Sequence, residues 1–291
     1  MNANELLGDL AALRRRTRAA RRGYAFPLFL FGALVLLAPL TYVTRPLPPS
    51  GDQVVFIDAG PGAFPQFVPP FFVEPLAHPD LIGWYWVLTI VGGLLATRWW
   101  YRRRAERSGV EGDTRPLFIV AGTALLGFLF ISTLLTIASP DMVRNGLYST
   151  PEANLTLMAG SAAAAAGVLV WGSRPGRSER ARTAAAVVGG LFAALAFAAL
   201  GVYLIHGFSA LLVIAVALLV LARSERSVFL GVVGLLFAGL SLLVNLYNVE
   251  NLFGWDYSGG QILALQYVLV PGLVLLAGGA VAVLSQRGAR P

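Results

Sequence analysis

The stretch "TRWWYRRRAER", Thr97–Arg107, sets five arginines around two tryptophans and a tyrosine. Read alone, aromatic platforms among basic side chains fit a nucleic-acid surface. Its neighbours give another reading. It follows the apolar run Leu81–Thr97, so Trp99, Trp100 and Tyr101 fall where a membrane-crossing helix meets the headgroups, with Arg102, Arg103 and Arg104 just beyond. An aromatic belt followed by positive charge marks the cytoplasmic end of a crossing and needs no nucleic acid.

The rest of the chain agrees. Of its 291 residues 57% are apolar and 13% charged, about half the charged share of a soluble domain. A crossing helix takes roughly 20 apolar residues. Eight runs qualify: Tyr24–Thr44, Leu81–Thr97, Pro116–Ala138, Asn154–Ser173, Ala184–Ile205, Phe208–Ala222, Val228–Asn248 and Gln261–Leu284. The sixth is short, and "IHGF" parts it from the fifth; the pair reads as a tight helical hairpin, with one bent segment as the alternative. All 22 basic residues are arginine. The segments 1–23, 98–115, 174–183, 223–227 and 285–291 hold 6, 6, 4, 2 and 2 of them, against Arg45 and Arg144 alone in the other connections. Arginine marks the cytoplasmic side. The pattern therefore predicts an all-α, polytopic helix bundle with eight crossings and both termini cytoplasmic, and the +7 net charge is a signal of threading.

Three stretches that open outward-going spans look alike: "RPLFIVAGTALLGFL" from Arg115, "RTAAAVVGGLFAALA" from Arg182 and "RSVFLGVVGLLFAGL" from Arg226. Their unequal spacing, 67 and then 44 residues, is not that of a regular solenoid. Runs of small residues such as "AGSAAAAAG" in the fourth span let helix backbones approach closely, within the bundle or in self-association.

Two segments outside the helices are candidates for contact with partners. Residues 1–23 form a basic amphipathic segment, with Leu6, Leu10 and Leu13 on one stripe and six arginines behind them. Such a segment lies on an anionic inner leaflet, stays solvated, or docks a cytoplasmic protein. The connection 45–80 holds nine of the 17 prolines and five phenylalanines at a formal charge of −3, and reads as a cap over the outer helix ends, a surface for a partner, or mobile filler.

Polar residues within the spans gather toward the outer side. Ser132, Thr133, Thr136, Asn245, Asn248, Gln261 and Gln266 make a candidate outward-opening pocket between spans three, seven and eight, rimmed by Glu250, Asn251 and Asp256. Pro271 is expected to kink the eighth span beside it. The plainer alternative is that Asn245 and Gln266, at similar depth, bond to each other across two helices.

The absences narrow the chemistry. Without cysteine or lysine the chain has no disulfide, thiolate metal site, P-loop lysine or Schiff-base lysine. His78 and His206 are its only histidines, and no carboxylate falls in the central third of a span, which disfavours a metal centre and a proton-driven pump. No catalytic, cofactor-binding or metal-binding set is expected.

The opening "RRGYAFPLFLFGALVLLAP" (Arg21–Pro39), the Pro/Phe-rich loop, and "GWYWVLTIVGGLLATRWWYRRRAERSGV" (Gly83–Val110) together resemble a loose group of uncharacterised actinobacterial multi-pass membrane proteins. The likeness covers roughly the first 110 residues. It implies a bacterial plasma membrane and carries no activity, because the group has none assigned. The expectation is a non-catalytic accessory or sensor-type membrane subunit working through its outer loop or N-terminal helix. A permease-like small-molecule transporter subunit is the alternative. Its partners are anionic inner-leaflet lipids, a membrane or cytoplasmic protein, or a second copy of the chain.

Overall fold

The computed structural model describes residues 23–44, 76–108, 115–130, 134–135, 137, 151–174, 176–201, 203–204, 206–247 and 259–287. Among these are eight α-helices: α1 Ala25–Leu37, α2 Pro79–Ser108, α3 Arg115–Leu129, α4 Pro151–Ser173, α5 Glu179–Gly201, α6 Ser209–Glu225, α7 Val228–Leu246 and α8 Gly259–Arg287. Each overlaps one of the eight apolar runs. Five helical segments, in α2, α4, α5, α7 and α8, are long and apolar enough to cross a membrane. α1, α3 and α6, of 13, 15 and 17 residues, are shorter.

The helix ends follow from local chemistry. Pro151 opens α4, where its missing N–H would have had no intrahelical acceptor. Ser178 and Ser227 cap α5 and α7, their Oγ atoms accepting from the N–H groups of Ala181 and Leu230, each at 3.3 Å. α1 tightens into a 3₁₀ turn, Ala38–Thr41, at Pro39. An antiparallel bridge between Thr44 and Leu76, with Ala77 N–H donating to Val43 O at 2.8 Å, then pins together the two ends of the long connection.

Side-chain neighbours fix the helix directions. α1 and α8 run antiparallel and mesh through glycine: Leu276 sits over Gly32, Leu36 over Gly272 and Phe29 over Gly279. α2 returns antiparallel to α1, with Phe31 on Gly93 and Phe26 stacked on Trp100. α7 is parallel to α1, Tyr24 meeting Phe229 at 5.9 Å while Leu28 and Val233 share the space at Gly278. α6 is antiparallel to α7, with Leu219 against Gly234. α4 and α5 form an antiparallel pair: Asn154 Nδ2 donates to Ala199 O at 3.0 Å, and Leu169 fills the space at Gly189.

The sixth helix is the axis of the bundle. Every residue from Ala210 to Ala222 is apolar, and most are buried, including Leu211, Val213, Ile214 and Leu218. A helix with no polar side is stable only when covered all round. α7, α3 and α2 pack against it, whereas α5 packs along α4 and α3. The tight hairpin expected of the fifth and sixth spans is therefore not formed: they are separate helices, and α3 packs against both. Gly207, at φ 72°, turns the chain between them. α3 and α5 run parallel with the repeat positions side by side, Thr123 next to Gly190 and Gly127 next to Ala194, both offset by 67 residues.

The periphery is apolar too. Leu88, Leu191, Leu235 and Leu284 are each more than 60% exposed, one on each of α2, α5, α7 and α8. Such a surface suits lipid better than water.

The glycine seats give a first prediction. A Cβ on Gly32 would lie 2.9 Å from Leu276 Cδ2 and 3.1 Å from the Leu276 backbone N, whereas nothing lies within 4 Å of one on Gly160. Gly32→Val is expected to lower stability by about 1–3 kcal/mol through overpacking, with Gly160→Ala neutral, as read by thermal unfolding of the purified protein.

Candidate functional site

Asn154, His206, Ser209, Asn245 and Gln266 are buried toward the loop end of the bundle, whereas Thr89, Thr97, Ser161 and Ser241 are buried along its helices. Thr97 and Ser241 donate to the carbonyls of Gly93 and Phe237 one turn back on their own helices, both at 2.7 Å. These hydroxyls are satisfied locally and offer nothing to a ligand.

At the loop end, rings from four segments stack in series. Trp86 Nε1 of α2 donates to the Tyr42 hydroxyl at 3.0 Å. Tyr42 stacks on Phe208 with centroids 5.7 Å apart, Phe208 on Tyr267 at 5.4 Å, and Tyr267 lies 4.6 Å from the His206 ring. Trp86, Tyr42 and Phe208 are at most 1% exposed, so the series is packed core, its ring faces taken up by one another. It ties the base of the long connection, two residues beyond Tyr42, to the start of α6.

Asn245 belongs to this end. Its Nδ2 donates to Phe208 O at 3.1 Å and Ser241 O at 2.7 Å, and its own carbonyl faces His206 Nδ1 at 3.3 Å. A backbone carbonyl only accepts, so Nδ1 carries the proton. Asn245 thus fastens the end of α7 to the start of α6. The bond to Gln266 expected from their similar depth is not made: Asn245 Oδ1 and Gln266 Oε1 are both buried without a hydrogen-bond partner. The physical reason is helical phase. Tyr267 faces the α7 side of α8, and Gln266, one residue earlier, points about 100° away from it. Gln266 shares that side with Ile262 and Leu273, which are 46% and 49% exposed, although it is itself buried.

Gln261 is exposed at the start of α8. Ser132, Thr133, Thr136 and Asn248 lie outside the described residues, as do the rim positions Glu250, Asn251 and Asp256. α3 packs along α5 and α6, while α7 and α8 pack on each other.

The opposite end is built from the stretch that opened the sequence reading. Trp100 Nε1 donates to Gly23 O at 3.2 Å, and Tyr101 and Arg104 lie against Gly23, so the end of α2 grips the chain where α1 begins. The Tyr101 hydroxyl, buried without a hydrogen-bond partner, lies near the Glu225 carboxylate at the end of α6, with Arg104 beside it. Trp99 is half-exposed under the Arg103 guanidinium, 4.3 Å from the ring centroid, and Arg102 pairs with Glu106 at 3.3 Å. Since Trp86 and Phe208 meet through Tyr42 at one end, and Tyr101 meets Glu225 at the other, α2 and α6 run the same way.

Sequence reasoning singled out Trp99–Arg104 as an anchor at the membrane surface and missed Tyr42, Trp86, Phe208 and Glu225. Each of these is defined by a partner far away in the chain, and none belongs to a local motif. No protein-family model matches the chain, and neither a curated protein nor a solved structure is found to be similar to it. Among the described residues no group of three or more histidine, aspartate or glutamate side chains is placed to hold a metal ion.

Two substitutions test the loop end, with different signs. Tyr42→Phe strands the Trp86 N–H and is expected to cost about 1–3 kcal/mol of stability. Gln266→Leu removes a buried carbonyl that has no donor, and is expected to leave the thermal midpoint unchanged or raised. Parallel melting curves in one detergent compare the two.

Proposed function

We propose that the chain crosses the bacterial plasma membrane eight times with both ends cytoplasmic, and that it acts as a non-catalytic accessory or sensor subunit through its outer loop or N-terminal segment. The observation that carries this reading is the apolar axis. Helix α6 fills the middle of the bundle with leucine, valine, isoleucine and alanine, where a permease would need polar groups along a route.

The threading has its own support. α1 and α7 run one way, and α2, α6 and α8 the other, which is the alternation of a chain stitched back and forth. The start of α1 and the ends of α2 and α6, each beside an arginine cluster, meet at one end of the bundle, and the base of the 45–75 connection lies at the other. Guanidinium groups on the cytoplasmic side put that connection outside.

The chain is free of cysteine, so single cysteines report its threading directly. An impermeant thiol reagent on intact cells is expected to label Gly60→Cys, and to label Ser178→Cys and Ser224→Cys only after permeabilisation. Labelling of either serine position in intact cells would overturn the threading.

The subunit role is tested by complementation of a deletion strain. Replacing residues 52–72 by a Gly/Ser linker, or removing residues 2–20, is expected to abolish rescue, while Asn245→Ala and Gln266→Ala retain it. The reverse pattern would favour the permease reading.

A further inference from the structure

Arg226 sits in a conformation that its side chain makes unfavourable. It follows α6 with φ 50° and ψ 39°, its N–H turned back to the carbonyls of Ala222 and Arg223, while Ser227 N–H donates to Ala222 O at 3.0 Å. This is the left-handed turn that closes many helices, and glycine normally occupies it because a Cβ is crowded there. The chain carries 32 glycines, and the other described residues with positive φ, Gly176 and Gly207, are glycine. An arginine stands where the backbone conformation favours glycine.

Its surroundings point to a reason. Arg223 and Arg226 are exposed at the end of α6, and Val228, two residues on, is 83% exposed. Through the contact of Tyr101 with Glu225, this end lies beside the end of α2, where Arg102 and Arg103 are exposed and Trp99 is half-exposed. Gly23, with Arg21 and Arg22 immediately before it in sequence, is held at the same place by Trp100, Tyr101 and Arg104. Of the described carboxylates there, Glu106 pairs with Arg102 and Glu225 faces Tyr101. Among the described residues no carboxylate lies within salt-bridge distance of Arg103, Arg223 or Arg226.

We propose that the joined ends of α2 and α6 bind the headgroups of acidic phospholipids, and that Arg226 holds its strained position to complete that surface. The occupant follows from the mixture of chemistries. Exposed guanidinium groups suit a phosphodiester, while Trp99 and Val228 at the same level suit the boundary between headgroup and acyl chain, which a free anion in water does not provide. The proposal rests on the membrane reading above and adds to it a lipid class and a place.

The test reconstitutes the full chain in vesicles of equal phosphatidylglycerol and phosphatidylcholine, extracts it gently, and measures by native mass spectrometry which lipid remains bound. Wild type is expected to retain the acidic lipid in preference. Arg226→Gly is expected to lose about fivefold of that preference, the worth of one arginine at an anionic surface, yet to melt at a higher temperature than wild type in pure phosphatidylcholine. Arg226→Lys should keep most of the preference without the rise in melting temperature, and Arg223→Gln should lose a similar factor without it. Equal retention of both lipids by wild type, or full preference in Arg226→Gly, overturns the proposal while leaving the membrane reading in place. A wild-type chain that does not enter the vesicles overturns both.

Discussion

A helix that is apolar on every side has to be surrounded, and the bundle is arranged around that requirement. α6 has no side on which water would be tolerated, so α2, α3 and α7 close over it. Lipid would also cover it, but lipid supplies no shape to match, and the close seating of Leu219 against Gly234 shows where the fit comes from. Both ends of α6 are then tied to structures that leave the bundle. Phe208 stacks under the base of the long connection, and Glu225 lies beside the aromatic and basic end of α2. The central helix thereby touches structures at both ends of the bundle.

The helices themselves were legible because each is a long apolar run bounded by arginine, proline or a capping serine, and those signals are local. Partner choice was not. Alanine and leucine on all faces give no periodicity to say which side meets which neighbour, so the fifth and sixth spans read as a hairpin from the short link between them. Chain proximity was the one guide available, and the need to cover α6 overrode it. The pairing of Asn245 with Gln266 failed for a related reason. Depth along a helix can be counted in residues, but azimuth is known only once the neighbours are set, and one residue of phase on α8 separates Gln266 from the side that faces α7.

The candidate sites divide in the same way. Trp99–Arg104 stood out in the sequence because its aromatic and basic residues are contiguous. The stack from Trp86 to His206 was hidden, since its members come from positions 42, 86, 206, 208 and 267 and share no spacing. The strain at Arg226 was equally invisible: nothing in "RSERS" distinguishes an arginine in a left-handed turn from one in an ordinary helix.

The placing of α4 has a consequence for biogenesis. It leans chiefly on α5, and only 17% of its apolar window is covered, the least of the five long helices. The five helices α1, α2, α6, α7 and α8 are meshed through one another without it. When the nascent polypeptide leaves the translocon, α4 and α5 can therefore wait in the bilayer as a preformed unit, joined by Asn154 and their small residues, until α6 emerges to engage α3. Docking of that unit would then be a late step in assembly, and its release an early one when the protein is drawn out of the bilayer by force.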